Sequence, residues 1–216
     1  MYKICRISRS IGLAAALLLF CTAMPMSGQE ESGLAVTVIA VTHFAHGPDG
    51  ASNEKIGQEI DAEAEHVRTF FEKNFNVPVR VFKSDKQTTS EAIRSFLYKD
   101  LPSDTREVQL LFVLSHGMAR SYPNSPSNTE LFIASSNTDS ATPEANAIQG
   151  NELLSAVGHL QNATSAFLFI DTCNAGAIGG FAAKLANAAV DQASLSRTMV
   201  LAARGASSGF PARRAT

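Results

Sequence analysis

Two side chains in this sequence are of the kind that together make a nucleophile: the imidazole of His116 and the thiol of Cys173. An isolated thiol has a pKa near 8.5 and an imidazole one near 6.5, so a lone cysteine at neutral pH is only a few per cent thiolate. A neighbouring imidazole raises that fraction and later returns the proton to the leaving group. The chemistry requires that the chain bring the two together. His116 follows the run Leu110-Leu111-Phe112-Val113-Leu114-Ser115, and Cys173 follows Phe167-Leu168-Phe169-Ile170-Asp171-Thr172. Short apolar runs that stop at small or turn-forming residues read as strands buried on both faces. Open parallel sheets present their functional groups beyond the carboxyl ends of the strands. If the two runs are parallel neighbours, His116 and Cys173 emerge at one sheet edge.

The residues around both positions resemble the caspase-like cysteine peptidases, the clan of caspases, metacaspases, paracaspases and their bacterial relatives. Leu-Ser-His-Gly at 114–117 is similar to the block that carries that clan's histidine, and Asp-Thr-Cys-Asn-Ala-Gly at 171–176 to its Asp-x-Cys-x-x-Gly block. The 57-residue gap between His116 and Cys173 is close to the offset of about 50 found in caspases. The Gln-Ala-Cys motif of caspases proper is absent, so the resemblance lies with the metacaspase-like or bacterial branches, and it covers about 34–208. It implies a three-layer α/β/α sandwich with a mostly parallel sheet and a Cys/His dyad that hydrolyses peptide bonds in a protein or peptide substrate. It assigns the oxyanion hole to the backbone N–H groups of Gly117 and Cys173; a residue without a side chain at 117 lets substrate approach closely.

The resemblance also implies a preference for basic residues. Metacaspase-like and paracaspase-like enzymes carry an Asp two residues before the nucleophile, here Asp171, and pair it with the Asp of an Asn-Asp-Ala motif. Ile60-Asp61-Ala62 is similar to that motif, with Ile in place of Asn. Two carboxylates in one pocket favour Arg or Lys, and Arg binds them in a bidentate manner. Each has a plainer reading, Asp61 as a solvated helix residue and Asp171 as a loop cap. Arg204 keeps open Asp-directed cleavage, because caspases recruit positive charge there. A legumain-like or gingipain-like peptidase is a third option. Calcium dependence, known among metacaspase-like enzymes, also stays open, since no calcium site can be named and no cofactor is called for.

Composition limits the alternatives. Lys3, Arg6 and Arg9 precede an apolar stretch from Ile11 to Phe20, and Cys21-Thr22-Ala23 supplies small residues for cleavage. That is the layout of a secretory signal peptide over 1–23, too short for a comfortable membrane span. A secreted or periplasmic protein without a stable membrane span is expected, with an uncleaved anchor or a lipoprotein signal as alternatives. Loss of 1–23 moves the formal net charge from −2 to −5, which gives nucleic-acid binding little support. It also removes Cys5 and Cys21, leaving Cys173 as the one thiol; taken alone, such a cysteine more often reads as buried and inert.

Residues 24–33 read as a mature tail, 34–208 as one domain and 209–216 as an irregular tail. Strands are expected at 34–42, 77–82, up to His116, up to Cys173 and at 198–203. Helices are expected at 54–74, from a cap at Thr88, Thr89 or Ser90 to 99, through Leu153–Leu160, and over 181–193. Residues 118–147 read as a long loop with a short hairpin element at Leu131–Ala134. Strands alternating with helices argue for a parallel sheet. The resemblance implies one more strand and helix than 209–216 can supply, so a sandwich lacking both is expected, and a catalytically inactive binding or regulatory module is the alternative function. His43 and His46 lack neighbouring cysteines and closely placed carboxylates, so no metal site is expected. His66 and His159 read as surface residues, and Lys184 and Arg197, at positions where relatives are cut, as solvated. Asn162-Ala163-Thr164 is a glycosylation sequon, of consequence in a eukaryote alone. The oligomeric state is not legible.

Overall fold

A computed structural model of the 216-residue chain describes residues 33–44, 50–122, 125–139, 142–172, 175 and 198–202. The helix expected at 181–193 and the segments 1–32 and 203–216 lie outside the described residues. Strand β1 (Leu34–Ala40) is buried along its whole length, as its continuous apolar, β-branched sequence requires of a central strand. It pairs in parallel with β2 (Val79–Phe82) on one side and with β3 (Val108–Leu114) on the other. β3 pairs in parallel with β7 (Ser165–Asp171), and β7 with β8 (Thr198–Ala202). Among the described residues the result is a five-stranded parallel sheet of order β2-β1-β3-β7-β8.

The helix α1 (Gly50–Phe75) covers one face. Ile60, Ala64, Val67 and Phe71 recur at helical spacing and pack on Val36, Val38, Leu110, Phe112 and Leu114. Phe112 lies stacked on Phe169, ring centroids 4.4 Å apart, and edge-on to Phe71. α1 stops where Asn76 adopts φ 53°, a left-handed conformation that Asn tolerates better than most residues. On the exposed side Arg68 is paired with Glu65 at 2.6 Å and with Glu72 at 3.5 Å.

The opposite face is covered by α2 (Ser90–Ser95), a π-helical turn (Phe96–Asp100), α3 (Leu101–Ser103) and α5 (Gly150–Gly158). Ile93, Phe96, Leu97, Leu101, Leu153, Leu154 and Val157 meet Ile39, Leu111, Val113, Leu168 and Ile170 there. Of the three candidate caps, Thr89 is the one used: its hydroxyl accepts from the Ala92 amide at 3.2 Å. Arg94 grips Glu152 with two bonds, of 2.9 and 3.0 Å, and the Ala147 carbonyl with a third, tying α2 to the start of α5. Helices thus lie on both faces of a parallel sheet.

The stretch 118–147 departs from the expected loop. β4 (Gly117–Tyr122) and β5 (Ser125–Ile133) form an antiparallel hairpin, and β6 (Ile148–Gln149) pairs with β5 beyond the short helix α4 (Pro143–Asn146). The polar sequence conceals this because, among the described residues, the buried apolar ones, Leu131, Phe132, Ile133, Ala134, Ala147 and Ile148, cluster at 131–134 and 147–148. β4 and β5 pair through their backbones from Gly117 opposite Ile133 to Tyr122 opposite Ser125, which composition does not report.

Candidate functional site

β3 and β7 both end two residues before the positions singled out in the sequence, with Leu114 opposite Asp171. The chain therefore leaves both strands at the same carboxyl edge. The Ser115 amide continues the ladder by donating to the Asp171 carbonyl at 3.3 Å, and the Val41 amide donates to the Leu114 carbonyl at 3.0 Å. Ends of β1, β3 and β7 are thereby joined around one point.

His116 stands at that point. Its ring is half-buried and meets Phe44 edge-on, centroids 4.7 Å apart. Phe44 follows β1, so the first strand supplies the wall against which the imidazole rests. Burial lowers the His116 pKa from its ordinary 6.5, because the charged ring loses water. At neutral pH the ring is neutral and able to take up a proton. Its carbonyl accepts from the Ala134 amide at 2.9 Å, and buried Gly117 begins β4 opposite Ile133.

Cys173 lies outside the described residues, and so do His46, Lys184, Arg197 and Arg204. Beside it, Thr172 is buried, its hydroxyl without a hydrogen-bond partner among the described residues, and the Ala175 amide donates to the Thr172 carbonyl at 3.3 Å. Asp171 is half-buried and belongs to the sheet face covered by α1, since it alternates with Ile170 and Thr172 on the other face.

Asp61 lies on α1, on the same side of the sheet, but its described partner is Lys83, whose ammonium donates to Asp61 at 3.0 Å and to Glu65 at 3.3 Å. Lys83 follows β2, three strand positions from β7, a lateral separation of about 14 Å. Hydrogen bonding to Asp61, then to Glu65, raises the Lys83 pKa. The structure thus brings Asp171 to the His116 edge and engages Asp61 with an internal cation. Lys83 and Phe44 carry no signal in the sequence, whereas Ser115 stands directly before His116.

Three other histidines lie among the described residues. His43 is exposed, with Nδ1 3.1 Å from the Thr42 hydroxyl and 3.3 Å from Asp85. His66 and His159 are exposed, as expected. Asn162 is exposed and donates to the Pro102 carbonyl at 3.3 Å. Among the described residues no group of three or more His, Cys, Asp or Glu side chains could hold a metal ion, and no helix is long and apolar enough to cross a membrane.

No family model and no curated protein sequence matches the chain. Among solved structures it is similar to the crystal structure of protein GSU0716 from Geobacter sulfurreducens, at 15% identity and a TM-score of 0.41. The match covers 76% of this chain and 57% of that one. The chain thus spans less than two thirds of that protein's length, and a likeness of this size carries no argument about activity. What the geometry defines is a class: an α/β protein with a parallel sheet, helices on both faces and a half-buried histidine at the carboxyl edge.

Proposed function

We propose that this chain is an exported cysteine endopeptidase of the caspase-like type that hydrolyses peptide bonds with His116 and Cys173, after Arg or Lys. One observation carries the reading. β3 and β7 are adjacent and parallel, and every pair in their register is 57 residues apart, the same separation as His116 and Cys173. A register that ends on Leu114 and Asp171 delivers the two chain segments to one edge of the sheet, which is the juxtaposition a thiol–imidazole dyad needs. The neutral, desolvated His116 fits the role of base.

In the proposed reaction His116 takes the Cys173 thiol proton as sulfur attacks the carbonyl carbon of the substrate. The carbonyl oxygen becomes an oxyanion facing the Gly117 and Cys173 amides. Collapse breaks the C–N bond, and His116 gives its proton to the departing amine. Water, deprotonated by the same imidazole, then attacks the thioester and releases the acid and the thiol. Asp171, on the face shared with α1, is the carboxylate offered to a basic side chain. Asp61 joins it only if Lys83 yields, so the acidic pocket rests on Asp171 first.

An Arg-containing fluorogenic peptide should be hydrolysed, and Cys173→Ala should abolish the signal while the far-ultraviolet spectrum stays native. Turnover by Cys173→Ala at the wild-type rate would sink the proposal. Mass mapping of cleavage sites in a protein mixture, with and without calcium, separates Arg/Lys cleavage from the Asp-directed and legumain-like alternatives.

A further inference from the structure

We propose that Ser115 is a positioning residue that sets the direction of the His116 imidazole through its hydroxyl. The inference deepens the peptidase reading and rests on it for its catalytic consequence. Ser115 is 5% exposed, and its Oγ donates to the Ala134 carbonyl at 2.7 Å. The amide of the same Ala134 donates to the His116 carbonyl at 2.9 Å. One residue of the returning hairpin strand therefore grips the Ser115 side chain and the His116 main chain together. This closed ring of two hydrogen bonds fixes the torsions on either side of the 115–116 peptide, and with them the direction in which the His116 Cα–Cβ bond points. From behind, the Ser115 amide is held on the Asp171 carbonyl, so the same residue also sets the β3 exit against the β7 exit.

The post that Ala134 provides is itself braced. Next to it, the Ser135 amide donates to the Thr138 hydroxyl at 2.8 Å, and both side chains bond the Asn146 carbonyl at 2.7 and 2.9 Å. The Ser136 amide donates to the Thr88 carbonyl at 2.9 Å, and the Asn137 carboxamide oxygen accepts the Ser90 amide at 2.9 Å. Hydrogen-bond networks of this kind favour a single geometry. Remove the Ser115 hydroxyl, and the imidazole keeps the Phe44 contact and one main-chain bond but loses the ring that defines its angle.

The test uses the full chain with Ser115→Ala, and the size-matched pair Ser115→Thr and Ser115→Val, which differ by the hydroxyl and stay comparable if the alanine variant loses its fold. Two readouts are taken: kcat and KM on the Arg peptide, and the ring-nitrogen NMR shifts of His116 with their pH titration. Misplacement of a catalytic group by about 1 Å costs up to about 100-fold in rate. We therefore expect kcat to fall about 10- to 100-fold in Ser115→Ala and Ser115→Val, KM to stay within about twofold, and the His116 resonances to move. Ser115→Thr should retain wild-type resonances and most of kcat. A folded Ser115→Ala or Ser115→Val with unaltered His116 resonances and kcat overturns the proposal, as does a Thr variant that behaves like Val. If the wild type shows no turnover while the His116 resonances still follow the hydroxyl, the peptidase reading fails and the positioning role stands.

Discussion

Gly57 sits in the third turn of α1, where its buried backbone lies against the Thr42 carbonyl oxygen; a Cβ at this position would overlap that oxygen, with the Thr42 carbonyl carbon next nearest. Two effects of Gly57→Ala compete. Alanine is the better helix former by about 1 kcal/mol in a helix interior. Against this, the obstacle is main chain and cannot rotate away, so either α1 or the end of β1 must shift, and overpacking of that kind costs about 1–3 kcal/mol. Because nothing flexible stands in the way, the upper part of that range applies, and the net expectation is a loss of about 1–2 kcal/mol. Urea unfolding followed by circular dichroism should show a lower midpoint with an unchanged slope. The displacement also has a direction: Thr42 leads through His43 to Phe44, the residue against His116. The His116 ring resonances should move in a variant whose substitution lies on another element. A midpoint that rises, the outcome of helix propensity acting alone, would refute the close-approach argument.

Two further expectations concern the site's surroundings. His116 titrates below its ordinary 6.5 in the folded chain because burial disfavours the imidazolium. The unfolded chain then binds more protons on the acid side of 6.5, so stability is full above that value and falls as pH drops towards the folded pKa. Unfolding free energies measured at intervals below pH 6.5, above the range where carboxylates titrate, should decline, and His116→Gln should flatten the decline; a stability that rises on acidification contradicts the desolvated ring. Thr89→Ala removes the acceptor for the Ala92 amide at the start of α2 and should cost about 1 kcal/mol in thermal or urea unfolding, with Thr89→Ser restoring most of it; an unchanged midpoint would mean that the cap is idle.

The strands that carry the site were legible because each is a short, uninterrupted apolar run, and runs of that kind have few stable fates other than a strand covered on both faces. Helix α1 was legible for a related reason: Ile60, Val67 and Phe71 repeat at helical spacing, and that period is set by the same burial that stabilises the helix. Residues 118–147 were not, because the pairing of β4 with β5 is a backbone property that a polar sequence does not report. β3 and β7 end at Leu114 and Asp171, two residues before the expected His116 and Cys173.

For the site itself, the sequence determined which residue types were available for thiol–imidazole chemistry, and that His116 and Cys173 follow apolar runs. Those are local properties, written in composition and spacing. Tertiary structure alone decided that β3 and β7 are neighbours in a 57-residue register, that Phe44 from the first strand shields the imidazole, and that Lys83 engages Asp61. The same holds for the Ala134 grip on Ser115 and His116, which joins residues 18 or 19 positions apart through a hairpin that composition conceals. Contacts between segments distant in sequence depend on how sheets and helices stack, and no local pattern of residues encodes that choice.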